Sequence, residues 1–598
     1  MNPRNLELAL IGNCAIGALI DKQAEVVWCC LPRFDGDPIF CSLLKTDDAE
    51  TLTGTFAIDL ENFSHSEQQY AKNTAILITT LYDSQGNGVI VTDFVPRYKQ
   101  YDRTFRPMAL HRKLTPIGSP KIRIRSRPTY HDGSKNYQKM QGSNHIRYLS
   151  DDMALRLTTD LSVTAIIDET LFILDCERYL ILGDDESIHE SIKQLSDRFY
   201  TETESYWLEW SRYLAIPFEW QDAVIRAAIT LKLSAYEDTG AIIAAMTTSV
   251  PEARNTERNW DYRFCWLRDS YFTVHALNRL GTTRTMEQYL HYLVNIVAEM
   301  DDKYLQPVFC INGTKQMPER IVDNLPGYRG MGPVRIGNQA AEQIQHDVYG
   351  AIVLSATQMF FDERIRHPGG KPLFELLESI GEKAAAYYNQ PDAGLWELRG
   401  SKNVHTFSSM MCWAAADRLA KIAKRLELED RHLYWQNTAT KIRNAIEDNG
   451  FNPSLNAYTA TWGGDTMDAS LLLACELGFV SGKDPRFVGT IAEIENQLMP
   501  QGSKYLFRYV VEDDFGLPEN AFTICSFWYI DALAASGRTD EARVLFEDLL
   551  SKRNHLGLMS EDLNPETGEL WGNFPQTYSM VGIINSARNL SKKWEHEL

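Results

Sequence analysis

Two glutamates stand out by their company. Glu397 closes Asp392-Ala393-Gly394-Leu395-Trp396-Glu397, and Glu561 lies in Leu558-Met559-Ser560-Glu561-Asp562, 164 positions further on. Each sits beside aromatic, glycine or hydroxyl residues. Cleaving a glycosidic bond needs one carboxyl kept protonated, to hand a proton to the leaving oxygen. It needs a second kept ionised, to activate water or attack carbon. Most glutamates are solvated surface charges, so the pair takes its weight from a third motif.

That motif is Arg258-Asn259-Trp260-Asp261-Tyr262-Arg263-Phe264-Cys265-Trp266-Leu267-Arg268-Asp269-Ser270, with four aromatics, three arginines and two aspartates in thirteen positions at the start of a helical segment. Tyr262 and Trp266 can offer flat faces to the C–H side of a pyranose, and Arg268 and Asp269 can bond hydroxyls in opposite senses. The structural alternative is a buried Arg–Asp pair among core aromatics. The chain has no Gly-rich phosphate loop, no His-Glu-x-x-His and no paired Cys-x-x-Cys. Its 13 histidines are scattered, and His346 and His405 read as structural. Two carboxylates suffice for this chemistry, so no cofactor and no catalytic metal are expected.

The 598 residues exceed one hydrophobic core, so two or three domains are expected. A formal net charge of −20 argues against nucleic acid or an anionic membrane as partner, and favours a neutral substrate. The ten cysteines mostly lie in apolar settings, such as Cys29 and Cys30, and read as free buried thiols of a reducing cytosol. The run from Leu6 to Ile20 is interrupted by Glu7, Gly12, Asn13 and Gly17, a poor signal peptide, and no stretch has the length of a membrane span. A cytoplasmic location is expected.

The elements that must position these residues change character along the chain. Over about 1–215 the pattern is strand-like: Ile76 to Tyr82 and Val89 to Val95 flank a Gly/Asn/Asp cluster and read as a hairpin. Further strands are predicted at Lys121 to Arg127, Ala154 to Thr158, Ser162 to Ile167, Thr170 to Leu174 and Arg178 to Leu182, in a β-sandwich. After Trp207 the period becomes 3.6. About twelve helices are predicted, near 221–235, 267–280, 284–299, 339–361, 371–388, 403–425, 430–448, 467–478, 485–498, 519–536, 538–552 and 574–592. With a long loop at 301–338 and no fixed repeat, they suggest a closed double ring of six helix pairs rather than a solenoid.

The stretch Asn259 to Asp269 closely resembles the signature of the glucoamylase family, glycoside hydrolase family 15, in its bacterial and archaeal branch. Leu10-Ile11-Gly12-Asn13 through Trp28-Cys29-Cys30-Leu31-Pro32-Arg33-Phe34-Asp35 resembles the opening of that branch's trehalase-like N-terminal domain. Leu325 to Gly330, Pro333 to Ala341 and Gly572 to Ser579 are similar to later motifs. The resemblance implies a multidomain chain: a β-sandwich over 1–215, then an all-α (α/α)6 barrel over 216–598. It implies Glu397 as general acid and Glu561 as general base of an inverting mechanism. Tyr262, Trp266, Arg268 and Asp269 would wall the pocket for the non-reducing-end glucose, Tyr578 would line it, and Arg335 and Trp396 would join the binding residues. Trp396 is expected to raise the Glu397 pKa, and Ser560 and Asp562 to keep Glu561 solvated and ionised. Glu519 matches a pocket-edge segment loosely. Where fungal members follow the acid with a second Glu, this chain has Leu398, which leaves the leaving group open. The expected activity is exo-acting release of β-glucose from an α-glucan or other α-linked glucoside or oligosaccharide. The alternative is a trehalase of the same family. Phosphorolysis has no use for a base aimed at water, and a non-catalytic glycan-binding scaffold does not need both carboxyls.

Overall fold

A computed structural model describes residues 4–48, 50–298, 304–400, 402–500 and 502–596. The first three residues of the N-terminal segment, residue 299 of the predicted helix 284–299, and 301–303 of the long loop lie outside them.

The N-terminal region is built on two antiparallel sheets. The first runs Ala9–Gly12, Gly17–Ile20, Val26–Leu31, Thr55–Leu60, Lys121–Arg127, Phe172–Ile173, with Asp37–Phe40 beside Val26–Leu31. The second runs Gln138–Gln141, His145–Leu149, Ala154–Thr159, Arg178–Asp184, Ala109–Ile117, Gly88–Phe94, Leu77–Asp83, Phe63–Tyr70. The expected hairpin is present, with Leu77 opposite Asp93 and Tyr82 opposite Gly88. The Asp83 carboxylate accepts from the Gln85 and Asn87 amides and so fixes the turn.

The interrupted apolar run near the N-terminus is explained by burial on both faces. Ala9, Ile11, Ala18 and Ile20 point into the core between the sheets. Leu10 and Leu19, one residue out of phase, join the core of the helical region. Trp28 reaches the same core and donates its indole N–H to the Met246 carbonyl at 2.7 Å.

In this region one predicted strand is a helix, and one helix is unpredicted. Ser162 to Ile167 is not a strand but a short helix, α1 (Val163–Ile167), because the Ser162 hydroxyl caps the Ala165 amide. The chain before 215 also carries a long helix, α2 (Ile192–Arg212). Its buried positions Leu195, Phe199, Thr203 and Trp207 recur every four residues, a helical stripe laid on the second sheet.

The rest is helical: α3 (Gln221–Leu233), α4 (Leu267–Arg279), α5 (Thr283–Ala298), α6 (Asp347–Thr357), α7 (Lys371–Tyr387), α8 (Thr406–Arg425), α9 (Glu429–Asn449), a 3-10 helix at Ala469–Ala474, α10 (Pro485–Leu498), α11 (Thr523–Ser536), α12 (Thr539–Leu550) and α13 (Thr577–Leu590). The predicted element 467–478 is thus a short 3-10 turn, begun where Asp468 caps the Ser470 amide and with all six side chains buried. The predicted helix 339–361 breaks at 343–346 before α6 starts.

Contacts run in a cycle: α4 packs on α6, α6 on α8, α8 on the 3-10 helix, that helix on α11, α11 on α13, and α13 back on α4. Each member also has an outer partner, in the same order α5, α7, α9, α10, α12 and α3. The α6–α8 contact depends on Gly350, where a Cβ would stand 2.4 Å from the Met411 carbonyl oxygen. Replacing a helical glycine by alanine ordinarily gains about 1 kcal/mol. Here the clash is with backbone, so Gly350→Ala is expected to destabilise the protein by about 1–3 kcal/mol, read from urea unfolding. Among the described residues no helix is long and apolar enough to cross a membrane. None of the ten cysteines is paired: eight are buried, Cys475 is half-buried and Cys176 exposed.

Candidate active site

Trp266, Arg268 and Asp269 stand at the start of α4 and Tyr578 at the start of α13, while Glu397 and Glu561 lie in the loops that lead into α8 and α13. Cys265–Trp266 pairs with Val308–Phe309 just before α4, and Ala521–Phe522 pairs with Asp562–Leu563 just before α11. These short strands fix Trp266, Arg268 and Asp269 on one side and Glu561 on another. The 301–338 loop supplies the Val308–Phe309 strand and a second pairing of Arg320–Ile321 with Arg335–Ile336. Part of it therefore buttresses the site.

A cleft opens here. Its walls include Tyr262, Trp266, Arg268, Asp269, Trp396, Glu397 and Tyr578, seven of the nine residues expected from the sequence. Glu561 and Arg335 do not line it. Arg335 is buried, donates through Nε to the Asn259 carbonyl at 3.1 Å, and lies over Phe515, behind the wall. Glu519 is exposed and outside the cleft.

Glu397 sits in a tight turn with φ +63°, a left-handed conformation that costs a non-glycine residue on the order of 1 kcal/mol or more. The turn aims its carboxyl into the cleft, where the side chain is 24 % exposed. Oε1 accepts from Trp266 Nε1 at 2.6 Å and from Arg268 and Gln345 at 3.5 and 3.4 Å, while Gln343 holds the Glu397 carbonyl at 2.9 Å. The break in the predicted helix 339–361 is what turns Gln343 and Gln345 toward this residue. The indole on Glu397 is Trp266, not the adjacent Trp396, whose N–H goes to Asp468 at 2.8 Å.

Arg268 is the hub of the acid side. NH1 donates to Gln345 at 2.8 Å and to Asp347 at 3.0 Å. Asp269 is buried, and loss of solvent, opposed by Arg268 and reinforced by Glu397 and Asp347, pushes its pKa up to about 7. Burial, reinforced by Asp269 and opposed by Arg268 beside it, also holds the Tyr578 hydroxyl protonated.

Glu561 is housed differently. It is 1 % exposed; Oε1 accepts from the Tyr262 hydroxyl at 2.6 Å, and the Asn573 amide donates to Oε2 at 3.4 Å. Tyr262 lines the cleft, so its ring and hydroxyl connect the two spaces. Ser560 and Asp562 do not keep Glu561 solvated. Ser560 donates to the Asp562 carbonyl, and the Asp562 carboxyl is itself buried, with Oδ2 unpartnered. Burial, then the like charge of Glu252, against the opposing Arg508, pushes Glu561 up to about 8. A group with a raised pKa is protonated below it, so Glu561 works as a base increasingly as pH rises toward and past about 8. Gly572 has φ +75°, and a Cβ there would sit 2.6 Å from the Glu561 Cβ, so this packing requires glycine.

Sequence reasoning did not single out Gln343, Gln345, Asp347, Arg508 or Glu252. Each is a lone residue outside any dense motif, and tertiary closure alone brings it here. Glu252, Glu561 and Asp562 are the one group among the described residues with carboxylate oxygens close enough for a cation, all within 4.8 Å. Arg258 Nε at 2.9 Å and Arg508 already neutralise Glu252, so this donor set does not fit a divalent ion. The cleft itself mixes Arg258, Arg268, Arg399 and Arg508 with Asp269, Glu397, Asp513 and Asp514. Alternating donors and acceptors with aromatic faces suit a neutral polyhydroxyl ligand.

The description "Glycosyl hydrolases family 15" matches residues 220–588, and "Trehalase-like, N-terminal" matches 3–163. The chain belongs to glycosyl hydrolase family 15. It is 31 % identical to a trehalase of Thermoplasma volcanium, over 97 % of this chain and 93 % of the relative. It is also 31 % identical to a trehalase of Mycobacterium tuberculosis, over 98 % and 89 %. A bacterial glucoamylase crystallised with acarbose shares the fold with a TM-score of 0.70 at 12 % identity, covering 99 % of this chain and 94 % of that one. The β-rich region followed by a helical region is the arrangement of that glucoamylase, and the family makes the protein a glycosidase.

Proposed function

We propose that this family 15 member hydrolyses α,α-trehalose by single displacement, with Glu397 as general acid and Glu561 as general base. One observation carries the reading: Glu397 is open to the cleft, and Glu561 lies directly behind its wall, hydrogen-bonded to the wall residue Tyr262. Glu397, under Trp266 and Arg268, protonates the glycosidic oxygen, and Glu561 takes a proton from water attacking the opposite face of C1. Tyr262, Trp266, Arg268, Asp269, Trp396 and Tyr578 hold the glucose being cleaved. The choice of trehalose over an α-glucan, the first expectation from the sequence, draws on the relatives named trehalase that align along nearly their whole length. Leu398, where fungal members carry a second glutamate after the acid, lines the cleft beside Glu397. The scaffold we assign is a β-sandwich over 1–215, with α2 as its last element, and an (α/α)6 barrel over 216–598, which the cyclic helix contacts support.

The test is a panel of trehalose, maltose, isomaltose and maltooligosaccharides assayed for glucose release. Trehalose is expected to be cleaved with kcat/KM at least about tenfold above the others, since hydrogen-bonding sites discriminate strongly. Faster cleavage of maltose or longer glucans would return the protein to the glucoamylase reading.

A further inference from the structure

Glu252 lies outside the cleft and outside every motif, yet it is among the most heavily tied side chains near the site. Its backbone amide donates to the Arg258 carbonyl at 2.9 Å, which folds segment 249–260 back on itself. Asn520 Nδ2 donates to the Glu252 carbonyl at 2.7 Å, and the Gly572 amide donates to the neighbouring Pro251 carbonyl at 2.8 Å. The segment is thereby fastened to the loop before α11 and to the turn after Leu570–Trp571, the strand paired with Asp562–Leu563 next to Glu561. The Glu252 side chain, 3 % exposed, accepts on Oε2 from Arg258 and Arg508, and Oε1 has no partner. It lies within 4.8 Å of both Glu561 and Asp562.

The charges around Glu561 can be counted element by element. From the 249–260 segment come Glu252 and Arg258, the latter also bound to Asp513 at 2.7 Å. From the start of the α4 motif comes Tyr262, from the loop before α11 comes Arg508, and from Glu561's own strand comes Asp562. Three carboxyls face two guanidiniums, one of which is shared with a fourth carboxyl, so negative charge is in excess around Glu561. Burial and the like charges of Glu252 and Glu561 push Asp562, unpartnered at Oδ2, well above the usual carboxylate range.

We propose that Glu252 is a positioning residue for the water-activating base: it clamps Arg508 in the cleft wall and places a carboxylate within 4.8 Å of Glu561. The inference rests on the role assigned to Glu561. A carboxylate with an ordinary pKa takes a proton from water poorly, whereas one crowded by a like charge takes it more readily. Arg508 both lines the cleft and packs over Phe522, so the clamp ties ligand contacts to the electrostatics of the base.

The test compares Glu252→Gln and Arg258→Gln with wild type by the pH dependence of kcat/KM for trehalose. The Glu561 carboxyl is titrated in parallel by infrared difference spectroscopy against Glu561→Gln. In wild type the ascending limb and the Glu561 carboxyl are expected to titrate together near the value of about 8. Glu252→Gln removes a negative charge and leaves two arginines uncompensated, so both readouts move down by about one unit or more. Arg258→Gln leaves Glu252 less neutralised and moves them up. Glu252→Asp, which keeps the charge, restores the wild-type position. A limb and a titration that stay in place, or that move the same way in the two glutamine variants, would overturn the proposal. Should one variant not fold, the sign of the other decides. A wild type that cleaves no α-glucoside would instead refute the proposed function, and the infrared titration would still test Glu252.

Discussion

Glu397→Gln is expected to lower trehalose hydrolysis by about 10²–10⁴-fold, the range for loss of a general acid, while hydrolysis of α-glucosyl fluoride is partly spared. The argument turns on what the leaving group needs. Glucose leaves trehalose as an alkoxide unless it is protonated; fluoride leaves without help. The amide of glutamine keeps the size of the side chain and can still meet Trp266 and Arg268 through its oxygen, so the turn at φ +63° is retained and the cleft keeps its shape. Steady-state rates on both substrates check this, with KM for trehalose staying within a few-fold of wild type. Equal losses on the two substrates would show that Glu397 does not donate the proton.

The string from Arg258 to Ser270 was readable as a site because its density of arginine, aspartate and aromatic side chains has no ordinary use on a surface. The structure places Tyr262, Trp266, Arg268 and Asp269 on the cleft, but pairs Arg263 with Asp261 at 2.7 Å, structural work of the kind the alternative reading described, while Arg258 both lines the cleft and binds Glu252. The same composition thus serves both purposes. Arg335 illustrates the limit from the other side: its motif is present, but its pairing with Ile321 turns the guanidinium toward Asn259 and Phe515, away from the cleft. What the sequence could not carry was burial. Ser560 and Asp562 read as polar company for Glu561, yet the pairing of Asp562 with Phe522 and Trp571 seals that strand. Polarity in sequence became desolvation in space. Among the elements, α2 shows its four-residue stripe plainly, but it follows a long series of strands. In Ser162 to Ile167, β-branched residues mask a capped turn.

Glu561→Gln is expected to lose about 10²–10⁴-fold on trehalose and, unlike the acid variant, to lose as much on α-glucosyl fluoride. Activating water is required whatever the leaving group, so no choice of substrate relieves the defect. The stereochemistry of the wild type checks the same assignment. If Glu561 activates water on the face opposite Glu397, the two carboxyls stand about 6.5–9.5 Å apart, with room for that water between them. The attacked glucose then emerges as the β anomer, and the departing glucose keeps its α configuration. Early NMR spectra of trehalose hydrolysis should therefore show α- and β-glucose in equal amounts before mutarotation. A nucleophile at about 5–5.5 Å would give two α-glucose molecules through a covalent intermediate. The position of Glu561 favours the first outcome: it stands behind Tyr262 and off the cleft wall, where it makes no direct contact with a sugar C1 in the cleft, as a nucleophile would have to. Spectra showing α-glucose alone at the earliest times would remove Glu561 from the role of base and make it a nucleophile.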